Sequence, residues 1–233
     1  MIPIVAATAG LAGVAIYACI WPTAQLFGKT IVKAEPKSRM LALTYDDGPN
    51  GAMTERLVAL LQQYRVRATF FMIGRHAERQ PDLVHDIALA GHAIGNHGYS
   101  HAPLISLSQA RIRDELVRCQ DTLARVAGTR PRFFRPPFGV RSPSVLRAAS
   151  SLGLTPVLWS VTCFDWQTTT TEAVARHATR QIVGGDVILL HDGGHQEIGA
   201  DRSATIEASH RLIEHYGAKG FQFVTVDKIC TLA

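Results

Sequence analysis

From residue 40 onward, short apolar runs alternate with longer amphipathic stretches, and this alternation constrains the chain more than any other feature. Runs at 40–45, 68–73, 93–96, 133–135, 155–161, 187–191 and 221–225 read as strands. They are buried, apolar segments of the kind found in sheets covered on both faces. Stretches at 54–64, 81–90, 108–127, 143–152, 171–183 and 203–216 read as helices. Thr54 and Ser108 stand where N-caps are expected, and Gly91, Gly128, Gly153 and Gly217 where helices end. Strand–helix repetition of this kind implies a parallel sheet. About seven such units predict an α/β fold, an irregular (β/α) barrel.

The residues able to do chemistry fall at the C-terminal ends of those runs. Asp46 and Asp47 follow the first, and His97 and His101 follow the third. Arg135 ends the fourth, Asp165 and Trp166 follow the fifth, and His191 ends the sixth. In a parallel barrel these ends share one face, where active sites form. Histidines four apart on a helical turn point the same way and can meet one ion. With one carboxylate they make the three protein ligands of a hydrolytic zinc-type site, with a coordination position left for water. The second carboxylate of the Asp46-Asp47 pair is then free to act as a base. By itself that pair, followed by Gly48-Pro49, reads equally well as a turn.

The remaining residues fit around such a site. Arg135 would orient a carboxylate. The stiff Pro136-Pro137 pair could hold a backbone N–H toward a developing oxyanion. His191 is a candidate general acid, with Asp165 fixing its far nitrogen. Trp166 and Leu189 would line an apolar pocket about the size of an acetyl methyl. His76, His85, His92, His177, His210 and His215 read as packed or solvated side chains.

Ahead of the alternating region, residues 2–21 carry no charged side chain, and such a length just crosses a bilayer core. Lys29, Lys33, Lys37 and Arg39 follow, against one acid, Glu35. A cleavable signal would show a basic start and an A-x-A cleavage site, and neither stands out. The expectation is therefore a transmembrane helix, in a membrane anchor at 1–28, a basic linker at 29–39 and a catalytic domain at 40–233. Removal of 1–28 is expected to leave a soluble, active domain. The basic residues favour a cytoplasmic domain by the positive-inside rule, whereas action on a cell-wall glycan needs a periplasmic or extracellular one. No basic helix is interleaved with aromatics, so nucleic acid is not an expected partner. Of Cys19, Cys119, Cys163 and Cys230, none forms a C-x2-C pair, and no disulfide framework or zinc knuckle is expected.

Taken in order, T-Y-D-D-G-P, H-G-Y-S-H, R-P-P-F-G, F-D-W and L-L-H resemble the motifs of polysaccharide deacetylases of the NodB-homology type, carbohydrate esterase family 4. The resemblance covers about residues 41–227. It implies a divalent metal, zinc first, held by Asp47, His97 and His101, with Asp46 as base and Arg135 orienting it. It also implies that the Phe138 N–H stabilises the oxyanion, and that His191, tuned by Asp165, protonates the leaving amine. The implied activity is N-deacetylation of N-acetylglucosamine units in peptidoglycan or a chitooligosaccharide. Deformylation or deacetylation of a lipid-linked amino sugar is the alternative enzyme, and a glycan-binding module without turnover the alternative outside catalysis. Three positions depart from the pattern: Gly98 in place of Ser or Thr, Phe138 in place of Tyr, and Thr162 in place of Asp. The first predicts a lost hydrogen bond behind the histidine ligands.

Overall fold

The computed structural model describes residues 13–34, 38–167 and 170–230. Eight strands occur among them: β1 Met40–Asp46, β2 Thr69–Met72, β3 Ala93–Asn96, β4 Phe133–Phe134, β5 Thr155–Pro156, β6 Val161–Thr162, β7 Asp186–His191 and β8 Gln222–Phe223. Helices surround them: α1 Ala52–Gln63, α2 Gly74–Arg79, α3 Pro81–Leu89, α4 Gln109–Ala127, α5 Pro143–Ser151, α6 Thr171–Thr179, α7 Ser203–Ala218 and α8 Val226–Cys230. Every strand pairing is parallel, in the order β5-β4-β3-β2-β1-β7-β6, with β8 beside the start of β1. The predicted α/β architecture is thus present as an irregular, incompletely hydrogen-bonded barrel.

The predicted strand at 155–161 is instead two short pieces on opposite edges of the sheet. The chain between them crosses from β4 to β7 and cannot stay in one ladder. The predicted linker spans the gap it leaves. Ile31 bridges to Val157 and Lys33 bridges to Asp186, so residues 31–33 sit between the two free edges. Leu158 N donates to Ile31 O at 2.7 Å and Ile31 N to Pro156 O at 2.9 Å.

Strand alternation decides what enters the barrel. Leu41, Leu43 and Tyr45 of β1 join Phe70, Met72, Ile188 and Leu190 in the main core with residues of α1, α4 and α7. Their neighbours Ala42, Phe71 and Val187 pack on the other face. The same parity carries on to Thr44 and Asp46 of β1 and to Leu189 and His191 of β7. Asp46 and His191 are direct register partners, so adjacent strands deliver them to one level at the barrel mouth.

Some local expectations change. Ser108 caps α4, accepting from Arg111 N, but Thr54 does not cap α1. Gly51, at φ 55°, takes the cap position, and the buried Thr54 hydroxyl turns inward to Asp192 at 2.5 Å. Gly217 lies inside α7, and the left-handed residue that ends the turn is Gly220. Helices α2 and α8 are additions to the expected set, being too short to show a helical period. Cys19, Cys119 and Cys163 are free thiols. The first half of the expected membrane span, through residue 12, lies outside the described residues. Residues 13–20 are helical, and among the described residues no helix is long and apolar enough to cross a membrane.

Candidate active site

The strand ends converge on a cavity of about 410 Å3. Its walls include Asp46, Asp47, His97, His101, Phe138 and His191, with Trp166 and Leu189 beside them. Arg135 and Asp165 stand behind this wall, so all ten residues expected from the sequence are brought together.

Asp47, His97 and His101 are all buried, and their ligand atoms lie within 4.8 Å of one another. Asp47 Oδ1 is 3.5 Å from His97 Nε2 and 3.2 Å from His101 Nε2, yet this buried oxygen has no hydrogen-bond partner. An unpaired carboxylate oxygen facing two imidazole nitrogens is the donor set a divalent cation would satisfy, so the residues fit the metal. His97 Nδ1 donates to Arg135 O at 2.7 Å, which turns Nε2 toward Asp47. The bond expected to be missing behind the histidine ligands is missing at His101, whose Nδ1 is buried with no hydrogen-bond partner among the described residues. Gly98 itself is left-handed, at φ 77°, where Ser or Thr would be strained.

Electrostatics divide the two histidines. Burial opposes a charge on His97, but the Asp46 and Asp47 carboxylates outweigh it and raise its pKa. Burial, with His97 alongside, pushes His101 down to about 3. Asp47 resists its own burial because His97, with His191 and His101 near it, holds its carboxyl well below the usual range. Cation binding to this trio must displace the His97 proton, so metal affinity is expected to fall below neutral pH. A competition titration from pH 8 to pH 5.5 measures this, and a flat affinity would contradict it.

Two further pairs fix the groups beside the triad. Arg135 is fully buried and donates from Nη1 to Asp46 Oδ1 at 2.7 Å. Thr44 Oγ1, Val157 O and Leu158 O hold the rest of its fork, and Phe71 stacks beneath it at 4.1 Å. Asp165 accepts from His191 Nδ1 at 2.9 Å, from His191 N at 2.7 Å and from Thr205 Oγ1 at 2.9 Å. Burial alone would lower the His191 pKa, but Asp165 in particular, with Asp47 and Asp46, raises it to about 9. Because Nδ1 donates to Asp165, the proton free for transfer is on Nε2. The Thr162 departure leaves this pair intact.

Backbone strain marks the same place. Of the five positive-φ residues other than glycine among the described residues, Asp47, His101, Phe138 and Phe164 are in or beside the site. Each such residue costs about 1–3 kcal/mol and persists only where its surroundings hold it. Phe138, at φ 61°, lines the cavity, and its N–H has no backbone partner among the described residues.

Several participants are not evident from the sequence. His195 stacks on His101 with ring centroids 4.9 Å apart, on a loop pinned when Arg75 donates to His195 O at 2.6 Å. His76, expected only to be packed or solvated, approaches Asp47 O with Nδ1 at 3.2 Å and supports the ligand's backbone. Arg202 donates to Gly193 O at 2.8 Å and lines the cavity. Gly193 lies so close to Asp47 that any Cβ would overlap the Asp47 carbonyl. Gly193→Ala is expected to displace Asp47 and weaken metal binding at least about tenfold. Metal titration of the variant measures this, and unaltered affinity would show that the contact yields freely.

Comparison with known proteins points the same way. The family model for polysaccharide deacetylase matches residues 33–157. A peptidoglycan-N-acetylglucosamine deacetylase of Bacillus cereus is 35% identical over 80% of this chain and 66% of its own length. A chitooligosaccharide deacetylase of Azorhizobium caulinodans is 32% identical over 77% of this chain and 89% of its own. The crystal structure of a peptidoglycan N-acetylglucosamine deacetylase superposes with a TM-score of 0.81 at 32% identity, covering 86% of this chain and 92% of that one. A strained, buried Asp-His-His cluster at the mouth of this barrel, in a chain so related, places the protein in the polysaccharide deacetylase family.

Proposed function

We propose that the protein hydrolyses the N-acetyl groups of N-acetylglucosamine units in peptidoglycan or a chitooligosaccharide, releasing acetate and a free amine. The observation that carries this reading is the delivery of Asp46, locked by Arg135, and His191, locked by Asp165, to one cavity with the Asp47–His97–His101 triad. A module that only bound glycan would have no use for both locked pairs. A lipid-linked amino sugar remains an alternative substrate for the same chemistry, with no feature of the cavity favouring it.

Asp47, His97 and His101 would hold the metal, and two imidazoles with one carboxylate suit zinc. When bound, the ion would polarise the amide carbonyl and make water a stronger nucleophile. Asp46 accepts the proton of the attacking water, because Arg135 occupies Oδ1 and leaves Oδ2 toward the cavity. The Phe138 N–H donates to the oxygen that gains charge as the carbonyl carbon becomes tetrahedral. His191 delivers its Nε2 proton to the nitrogen as the C–N bond breaks, and Asp165 stabilises the imidazolium until that moment. Trp166 and Leu189 line the space for the acetyl methyl. His97→Ala is expected to lose both stoichiometric metal and most acetate release. A variant that binds zinc as tightly as the parent would overturn the ligand assignment.

Residues 2–21 would hold the protein at a membrane, with the domain from residue 40 onward on the periplasmic or extracellular side, where such glycans lie. Their uncharged length supports this, as do the exposed Val14, Ile16, Tyr17, Ile20 and Trp21. Flotation of the full chain with phosphatidylethanolamine–phosphatidylglycerol vesicles tests it. A native N-terminus beginning after Ala24 would instead show a cleaved leader.

A further inference from the structure

Three residues beyond Phe138, Arg141 is 1% exposed and makes no ion pair among the described residues. A buried guanidinium without a counterion must find carbonyls for its donors. Arg141 finds them about 120 positions away. Its Nη2 donates to Trp21 O at 2.6 Å and Ala24 O at 2.7 Å, and its backbone N donates to Cys19 O at 3.1 Å. These carbonyls lie at and just beyond the C-terminal end of the 13–20 helix, where unpaired carbonyls attract a cation. Ala18 and Ala24 are buried, and Gly28 packs against Leu146 of α5. The end of the leader is therefore seated on the domain.

On its other side Arg141 touches the catalytic loop. Nη1 donates to Gly139 O at 3.4 Å, and Gly139 is pressed so closely on Trp159 that no Cβ fits. Phe138 is held between this anchored glycine and the two prolines, in a left-handed conformation it would not choose alone.

We propose that Arg141 and the carbonyls of Cys19, Trp21 and Ala24 form a brace that positions the Phe138 N–H in the catalytic cavity. Arg141 is a positioning residue, and residues 18–28 belong to the catalytic unit rather than to a disposable anchor. The cut after residue 28 that the sequence suggests would remove all three leader acceptors and leave the Arg141 guanidinium only the Gly139 carbonyl among those named. The kinetic consequence rests on the deacetylase reading; the conformational one does not.

Two changes in the full-length protein test the brace. Arg141→Met keeps the apolar stem and removes the donors. Ala24→Lys leaves Arg141 in place and drives the leader off with bulk and like charge. Amide exchange at residues 138–141 is expected to rise at least about tenfold in both, with α4 and α7 unchanged. The kcat for acetate release should fall about tenfold or more, with KM within about twofold, because each change misplaces an oxyanion donor and leaves ground-state substrate binding intact. Combining the two changes should add little, since each disables the same device. Unaltered loop exchange in either variant, or losses that multiply in the double variant, would overturn the proposal. If Arg141→Met does not fold, Ala24→Lys decides the question. A parent that releases no acetate would sink the functional reading, while loop exchange still judges the brace.

Discussion

Asp46→Asn is expected to abolish deacetylation, lowering kcat by about 10³-fold or more, while one equivalent of metal still binds. Asparagine is nearly the same size, so the cavity keeps its shape, but it cannot accept the proton of the attacking water. Asp47, His97 and His101 are untouched, and the lost charge near His97, whose Nε2 is 3.7 Å from Asp46 Oδ2, weakens metal binding only modestly. The larger side effect falls on Arg135. Asp46 is the one carboxylate within ion-pair reach of that fully buried guanidinium among the described residues. Stranding it should cost about 3 kcal/mol of stability, offset in part by the Val157 and Leu158 carbonyls and the Phe71 ring. Calorimetry and acetate release on the same sample separate the two effects. A variant that is less stable yet turns over at the parental rate would remove Asp46 from the base role.

His191→Ala is expected to lower kcat by about 10²–10⁴-fold and to erase the alkaline limb of the pH–rate profile. The sign follows from the role: an acid works only while protonated. Its raised pKa keeps His191 protonated at neutral pH, and activity declines as pH rises through that value. Burial lowers the value, but Asp165 chiefly, with help from Asp47 and Asp46, raises it to about 9. A bound cation offsets the two site aspartates, so the limb of the loaded enzyme should lie between 6.5 and about 9. Asp165→Asn removes the strongest raising influence and should move the limb toward acid. An alkaline limb that stays in place in both variants would show that another group supplies the proton.

The parts of this site that can be read from the sequence are those set by strand parity. Asp46 and His191 end apolar runs, and alternation along β1 and β7 turns both inward. Arg135 is legible because it directly follows β4, whereas Asp165 lies three residues past β6 in a turn and is legible only through the F-D-W motif. What cannot be read depends on contacts across the chain. The segment 155–161 has strand composition, yet it must pass between two sheet edges, and local pattern does not encode that crossing. His195 sits in a loop with no periodicity, and Arg75, far away in sequence, holds it over His101. Thr54 has the chemistry of a cap, but the buried Asp192 carboxyl, its pKa raised by burial to about 7, takes its hydroxyl instead. Arg141 gives no local signal at all, because its acceptors are backbone carbonyls of a segment that reads as membrane anchor.

The proposed activity depends on a metal held by Asp47, His97 and His101. Its decisive test is acetate release from an N-acetylglucosamine oligomer, using the full chain stripped with a chelator and then titrated with zinc. The expected result is no release from the stripped protein and recovery that saturates at one zinc per chain, with one free amine formed per acetate. Undiminished release from the fully stripped protein would contradict metal-dependent deacetylation at this site.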